Sequence, residues 1–118
     1  AIVAAGGSAP KGVRPPGGKI NDASKAVLAK AGMPALLWSV DTLDWKTRNA
    51  ASSVQTVLNQ VKDGSVVLMH ELYNASGDAA VTIIPALVER GYQLVTVSEL
   101  AQFRGGLAGG TVYYSFHK

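Results

Sequence analysis

His70 stands where the apolar run Ser65 to Met69 gives way to polar residues, in the segment Leu68-Met69-His70-Glu71. An imidazole changes protonation near neutral pH, so at the end of a strand it suits a general acid or base. The structural alternative is a half-buried histidine hydrogen-bonded to a loop carbonyl. Asp41, in Asp41-Thr42-Leu43-Asp44-Trp45, holds the same station after the preceding run, Ala35 to Val40. A carboxylate beside an imidazole fixes its orientation and favours its protonated, acid form. Asp41 is therefore paired with His70 across neighbouring strands, while Asp44 is read as a turn or helix-cap aspartate. Arg14 opens a third segment, Arg14-Pro15-Pro16-Gly17-Gly18, in which two prolines stiffen the backbone. A fixed guanidinium can pair with a carboxylate and keep it ionised; the alternative is a surface arginine bridging to a loop. Gly17 has no side chain to obstruct its N–H, which is suited to an oxyanion. Trp45 and Leu68 can line a small pocket for a methyl group, although core packing is the commoner use of either.

Side chains so far apart in sequence meet only if the elements between them carry them to one place. Ala1 to Ala5 resembles the last turn of a helix whose beginning is absent, stopped by Gly6-Gly7. Lys11 to Pro15 reads as a short strand. Asn21 or Asp22 caps a helix through Ala31, closed by Gly32. Ala35 to Val40 is an uninterrupted apolar run of the kind buried on both faces of a parallel sheet. Asn49 caps a helix with Val54, Val57, Leu58 and Val61 at helical spacing. Asp63-Gly64 turns into a third strand, Ser65 to Met69. A polar loop from Glu71 to Gly77 leads to a helix from Asp78 to Arg90, kinked or effectively started by Pro85. Tyr92 to Val97 is expected to be a fourth strand, Ser98 to cap a short helix to Phe103, and a glycine-rich tail to follow Arg104. Strands alternating with helices predict an α/β fold with a parallel sheet and right-handed crossovers, about half of an eight-unit barrel. In such a barrel the three polar segments share the rim where chemistry is placed.

Composition narrows the classes. Of 118 residues, 47% are apolar and 16% charged, enough to bury a core and too few charges for a disordered chain. The net charge of +3 comes from scattered lysines and arginines without interleaved aromatics, which gives nucleic-acid binding little support. The absence of cysteine excludes disulfides, thiolate zinc sites and a cysteine nucleophile. No apolar run approaches the roughly 20 residues needed to cross a bilayer. Ser39, Ser65 and Ser98 lack a nucleophile-elbow context. The pairs Gly105-Gly106 and Gly109-Gly110 neither follow a strand nor open a helix, so they make poor phosphate loops. His117 is read as a surface residue.

Together the three segments resemble the polysaccharide deacetylase family, also called the NodB-homology domain or carbohydrate esterase family four. Its members carry five ordered motifs on a distorted (β/α) barrel. Arg14-Pro15-Pro16-Gly17-Gly18 resembles the third motif, Asp41-Thr42-Leu43-Asp44-Trp45 the fourth and Leu68-Met69-His70-Glu71 the fifth. Ile84 to Leu87 and Gly91 to Leu100 read like that family's closing helix, strand and cap. The resemblance covers nearly all of the chain and implies that residues 1–118 are the C-terminal half of such a catalytic domain, with the N-terminal half absent. It implies that His70 is the general acid protonating the leaving amine, that Asp41 tunes it and that Arg14 orients the catalytic base. It further implies an oxyanion contact from the Gly17 N–H, acetyl-methyl contacts from Trp45 and Leu68, and a substrate contact at Pro16. Gly17 stands where tyrosine is frequent, and Glu71 where aspartate is usual.

The first motif, with paired aspartates, and the second, with two metal-binding histidines, would lie before Ala1. The resemblance therefore implies no metal ligand in this chain. A divalent metal, for which zinc suits histidine and carboxylate ligands, and the catalytic base would come from a second polypeptide. The implied activity is metal-dependent removal of acetyl groups from N-acetylated polysaccharide, either peptidoglycan N-acetylglucosamine or chitin-like oligomers. The implied location is extracellular or at a bacterial cell wall. An acetylxylan O-deacetylase and a non-catalytic carbohydrate-binding remnant are the alternatives. A half barrel alone is expected to expose sheet edges and be unstable without its partner.

Overall fold

Local side-chain chemistry decides where most of the helices begin. The structure, a computed structural model, describes residues 1–117. Its elements in chain order are a 3-10 turn at Pro16–Gly18, α1 (Asp22–Lys30), β1 (Ala35–Leu36), β2 (Val40–Asp41), α2 (Asp44–Thr47), α3 (Ala50–Gln60), β3 (Val67–Leu68), α4 (Asn74–Glu89), α5 (Val97–Gln102) and β4 (Val112–Tyr113). Asn21 accepts the Ser24 N–H at 2.8 Å to start α1, and Asn49 accepts the Ser52 N–H at 3.0 Å to start α3, both as expected. α5 opens with a capping box. The Thr96 hydroxyl accepts the Glu99 N–H, and the Glu99 carboxylate accepts the Thr96 N–H. The cap of α5 is thus Thr96 and not Ser98, because only Thr96 has its partner glutamate three residues on.

α4 is the larger departure. It begins at Asn74 inside the expected polar loop and runs unbroken through Pro85. Ser76, Ala79, Ile83 and Leu87 are its buried residues, spaced as one helical face. That face packs on α3 and β2 in a core of Val40, Val57, Ala79, Ile83 and Leu87, with Val54, Leu58 and Val67 against it. Pro85 is exposed, so the carbonyl it leaves without an intrahelical partner lies on the solvent side, and apolar burial opposite outweighs the lost bond.

The sheet is parallel but discontinuous. β1 pairs with β4, β2 pairs with β3, and an isolated bridge joins Val13 to Ala35. The expected strand Ala35 to Val40 breaks because the Ser39 and Val40 N–H groups both donate to the Val66 carbonyl, at 3.0 and 3.1 Å. Two residues facing one is a bulge, which bends the strand and lets its halves take different partners. The expected strand Ser65 to Met69 shortens to β3, and Lys11 to Pro15 contributes only the Val13 bridge. Residues 92–96 form no strand, since no neighbouring segment among the described residues offers them a ladder; Leu94 and Val95 lie exposed there. No helix among the described residues is long and apolar enough to cross a membrane.

The tail is clamped onto the Asp63-Gly64 turn. Arg104 donates to the Phe116 carbonyl at 2.9 Å and to Asp63 Oδ2 at 2.8 Å, and Phe116 N–H donates to the Gly64 carbonyl at 2.7 Å. Gly64 sits at φ +86, and a Cβ there would fall 2.3 Å from the Phe116 oxygen. Gly64→Ala therefore meets both left-handed strain and immovable backbone. It should destabilise by about 2 kcal/mol or more, read as a lowered urea midpoint.

Candidate active site

β2 and β3 lie side by side in parallel, with Asp41 opposite Leu68, so both chains leave the sheet at the same end. The Thr42 hydroxyl donates to the Leu68 carbonyl at 2.8 Å, holding the two exits together. Asp41 Oδ1 accepts the Leu43 N–H at 2.9 Å. Leu43 then takes a left-handed conformation, φ 52 and ψ 32, and Arg48 does the same at φ 45 and ψ 41. The single turn of α2 is thus bracketed by two non-glycine residues in a sparsely populated region, a cost that must be met by its surroundings.

The gain lies at Asp44, 1% exposed. Its Oδ1 accepts from His70 Nδ1 at 2.8 Å and from the Trp45 N–H at 3.0 Å. Its Oδ2 accepts the His70 N–H and the Ser76 hydroxyl, both at 2.6 Å. Four donors saturate one carboxylate. Burial alone would raise its pKa. The hydrogen bonds from Ser76 and from the His70 ring and backbone, with the attraction of the imidazolium, outweigh that and hold it at about 2. An ionised carboxylate can only accept, so His70 Nδ1 must carry a proton. Nε2 is then the nitrogen free to give or take one.

The carboxylate on His70 is therefore Asp44 and not Asp41. Asp41 stands at the strand end as expected, but its carboxylate is turned onto the Leu43 N–H, and the left-handed step at Leu43 carries the next aspartate to the imidazole instead. Arg14 and His70 do come together: with Met69, Glu71 and Leu72 they line a cavity of about 420 Å³. Arg14 is held there by the Val13 bridge to Ala35 and by Pro15, which is buried. Gly17 is exposed in a left-handed conformation, φ 64 and ψ 11, which favours glycine. Pro16 is exposed beside it. Trp45 and Leu68 do not line this cavity: Leu68 is buried at the end of β3, and Trp45 is half-exposed on α2. His117 is exposed, its Nδ1 2.7 Å from the Asp63 carbonyl, as a surface residue. Ser76 escaped the sequence reading because it fell in a presumed loop; its place on the stripe with Ala79, Ile83 and Leu87 was the available signal.

No three His, Asp or Glu side chains among the described residues converge to hold a metal. The described residues therefore do not by themselves make a metal centre. A second cavity, about 1240 Å³, lies away from His70 and is lined by residues from Val61 to Val67 and from Leu87 to Arg104.

No family model matches the chain. Over 98 residues, 83% of this chain, it is 46% identical to the peptidoglycan-N-acetylmuramic acid deacetylase PdaC of Bacillus subtilis, spanning 20% of that protein. It is 41% identical over 91 residues, 77% of its length, to the peptidoglycan-N-acetylglucosamine deacetylase PgdA of Listeria monocytogenes, spanning 19% of that protein. Among solved structures, a family 4 carbohydrate esterase from Streptomyces lividans in complex with acetate superposes with a TM-score of 0.76 at 31% identity, covering 92% of this chain and 54% of that one. The helices and parallel strands described above are part of the (β/α) barrel of such domains.

Proposed function

From the premise that this chain is homologous to the peptidoglycan deacetylases of carbohydrate esterase family 4, we propose that it is the C-terminal half of a metal-dependent polysaccharide N-deacetylase domain. The observation that carries the reading is half-buried His70, held 2.8 Å from buried Asp44 and lining one cavity with Arg14 at the C-terminal ends of parallel strands. His70 Nε2 delivers the proton to the departing amine, while Asp44 keeps Nδ1 protonated. The exposed Gly17 N–H faces the developing oxyanion. The Arg14 guanidinium orients the carboxylate base. Pro16, which is exposed, meets the glycan, and Trp45 with Leu68 flanks the acetyl methyl in a pocket that the N-terminal half completes. Asp41 acts on the site through the Leu43 turn.

The catalytic base and the ligands of the divalent metal, zinc by donor chemistry, belong to a second polypeptide segment carrying the N-terminal half. Residues 93–95, extended and with Leu94 and Val95 exposed beside the 1240 Å³ cavity, are the stretch against which that segment adds as a neighbouring strand. The substrate is N-acetylated peptidoglycan at the cell wall, since the relatives bear the names of peptidoglycan deacetylases.

The test is acetate release from N-acetylated peptidoglycan strands by the complete, metal-loaded natural protein. Release with a matching gain of free amino sugar is expected, and chelation should abolish it. Release from acetylxylan alone would replace the amide reading with the ester one. Binding of glycan without release from either would leave a carbohydrate-binding remnant.

A further inference from the structure

We propose that Ser76 is a positioning residue which, by holding Asp44, decides which nitrogen of His70 carries the proton. Its catalytic consequence rests on the reading of His70 as proton donor; its structural consequence does not. Ser76 is 3% exposed on the inner face of α4, where its hydroxyl donates to Asp44 Oδ2 at 2.6 Å. The same oxygen receives the His70 N–H at 2.6 Å. Donors from α4 and from the end of β3 therefore converge on one oxygen and stop the carboxylate from turning about its last side-chain bond. The other oxygen is left aimed at His70 Nδ1. Without the hydroxyl, Oδ2 keeps one donor, the carboxylate gains rotational freedom, and its grip on the Nδ1 proton loosens.

Among the described residues no other carboxylate is hydrogen-bonded to the His70 ring. Glu71 and Arg14 line the cavity beside His70, and the ion pair found on the imidazole is that with Asp44. The serine also lies outside every segment that suggested chemistry in the sequence. The contact ties α4 to α2, and the acceptor is itself buried.

The experiment uses the complete natural protein with Ser76→Ala, Ser76→Thr and Ser76→Cys, the last being near-isosteric and a weak donor. Imidazole nitrogen NMR, recorded where the rings are neutral, reads the tautomer. In the parent protein and in Ser76→Thr, His70 is expected as the Nδ1–H form. In Ser76→Ala and Ser76→Cys the Nε2–H form should rise, while His117, bonded to the Asp63 carbonyl, stays unchanged as an internal standard. The two donor-poor variants should also lose about tenfold in kcat with KM within twofold, because the tautomer changes and substrate contacts do not. A full Nδ1–H signal in Ser76→Ala with only a lowered melting temperature would make the serine structural and overturn the proposal. If the parent protein releases no acetate, the deacetylase reading fails, and the tautomer measurement still decides the role of Ser76.

Discussion

Replacing His70 by asparagine should lower kcat on N-acetylated peptidoglycan by roughly 10²- to 10⁴-fold, the usual worth of a positioned general acid. The substitution is chosen because the asparagine amide can still donate a hydrogen bond toward Asp44 Oδ1, now supplied by Nδ1 at 2.8 Å. The main-chain N–H at position 70 keeps its own bond to Oδ2. The fold around the rim is thereby preserved and only the exchangeable proton at Nε2 is lost. KM should move by no more than a few-fold, and the metal content of the complete protein should be unchanged. Steady-state kinetics and metal analysis check the two halves of this prediction together. A parallel loss of metal would make His70 a ligand, and unchanged turnover would remove it from the reaction.

Asp44→Asn is expected to cost both activity and stability. A buried carboxylate taking four hydrogen bonds cannot be replaced by an amide without turning an NH₂ group toward at least one donor. Breaking a buried charge-assisted cluster of this kind costs on the order of 3–5 kcal/mol. The pH dependence follows with a definite sign. The folded-state pKa of Asp44, about 2, lies below its ordinary value of 3.8. The contribution is therefore fully present above the unfolded value and is lost as pH falls toward 2. It amounts to about 2 kcal/mol. Denaturant unfolding of the parent protein between pH 5 and pH 2 should show this decline. The asparagine variant should start lower and lack that component of the slope. An unaltered slope would mean that some other carboxylate governs acid stability.

Helices α1 and α3 were legible because everything that starts them is local: an asparagine, the N–H three residues on, and apolar residues at helical spacing. α4 was half legible. Asn74-Ala75-Ser76-Gly77 has the composition of a loop and Pro85 the look of a break, yet Ser76, Ala79, Ile83 and Leu87 share one face and are the residues the core takes. The fourth strand, at 92–97, could not be decided by residue type, since Leu94, Val95 and Val97 have strand character but a strand exists only with a neighbour to pair with. The expected strand Ala35 to Val40 splits at Ser39 for a related reason: the bulge depends on where Val66 lies across the sheet.

For the site, residue types pointed to an acid–base group and to the three chain segments that carry it, and the resemblance of those segments to a family supplied the roles. An imidazole at a strand end, an aspartate-rich turn after the preceding strand and a proline-stiffened arginine were all readable, and Arg14 and His70 do open onto one cavity. Which aspartate serves the histidine was decided only by tertiary structure. The choice between Asp41 and Asp44 turns on a left-handed leucine at position 43, a conformation leucine does not favour and that its surroundings must impose. Ser76 reaches Asp44 across 32 positions of sequence for the same reason. Side-chain chemistry belongs to the residue, but the direction in which a carboxylate points belongs to the packing of the whole fold.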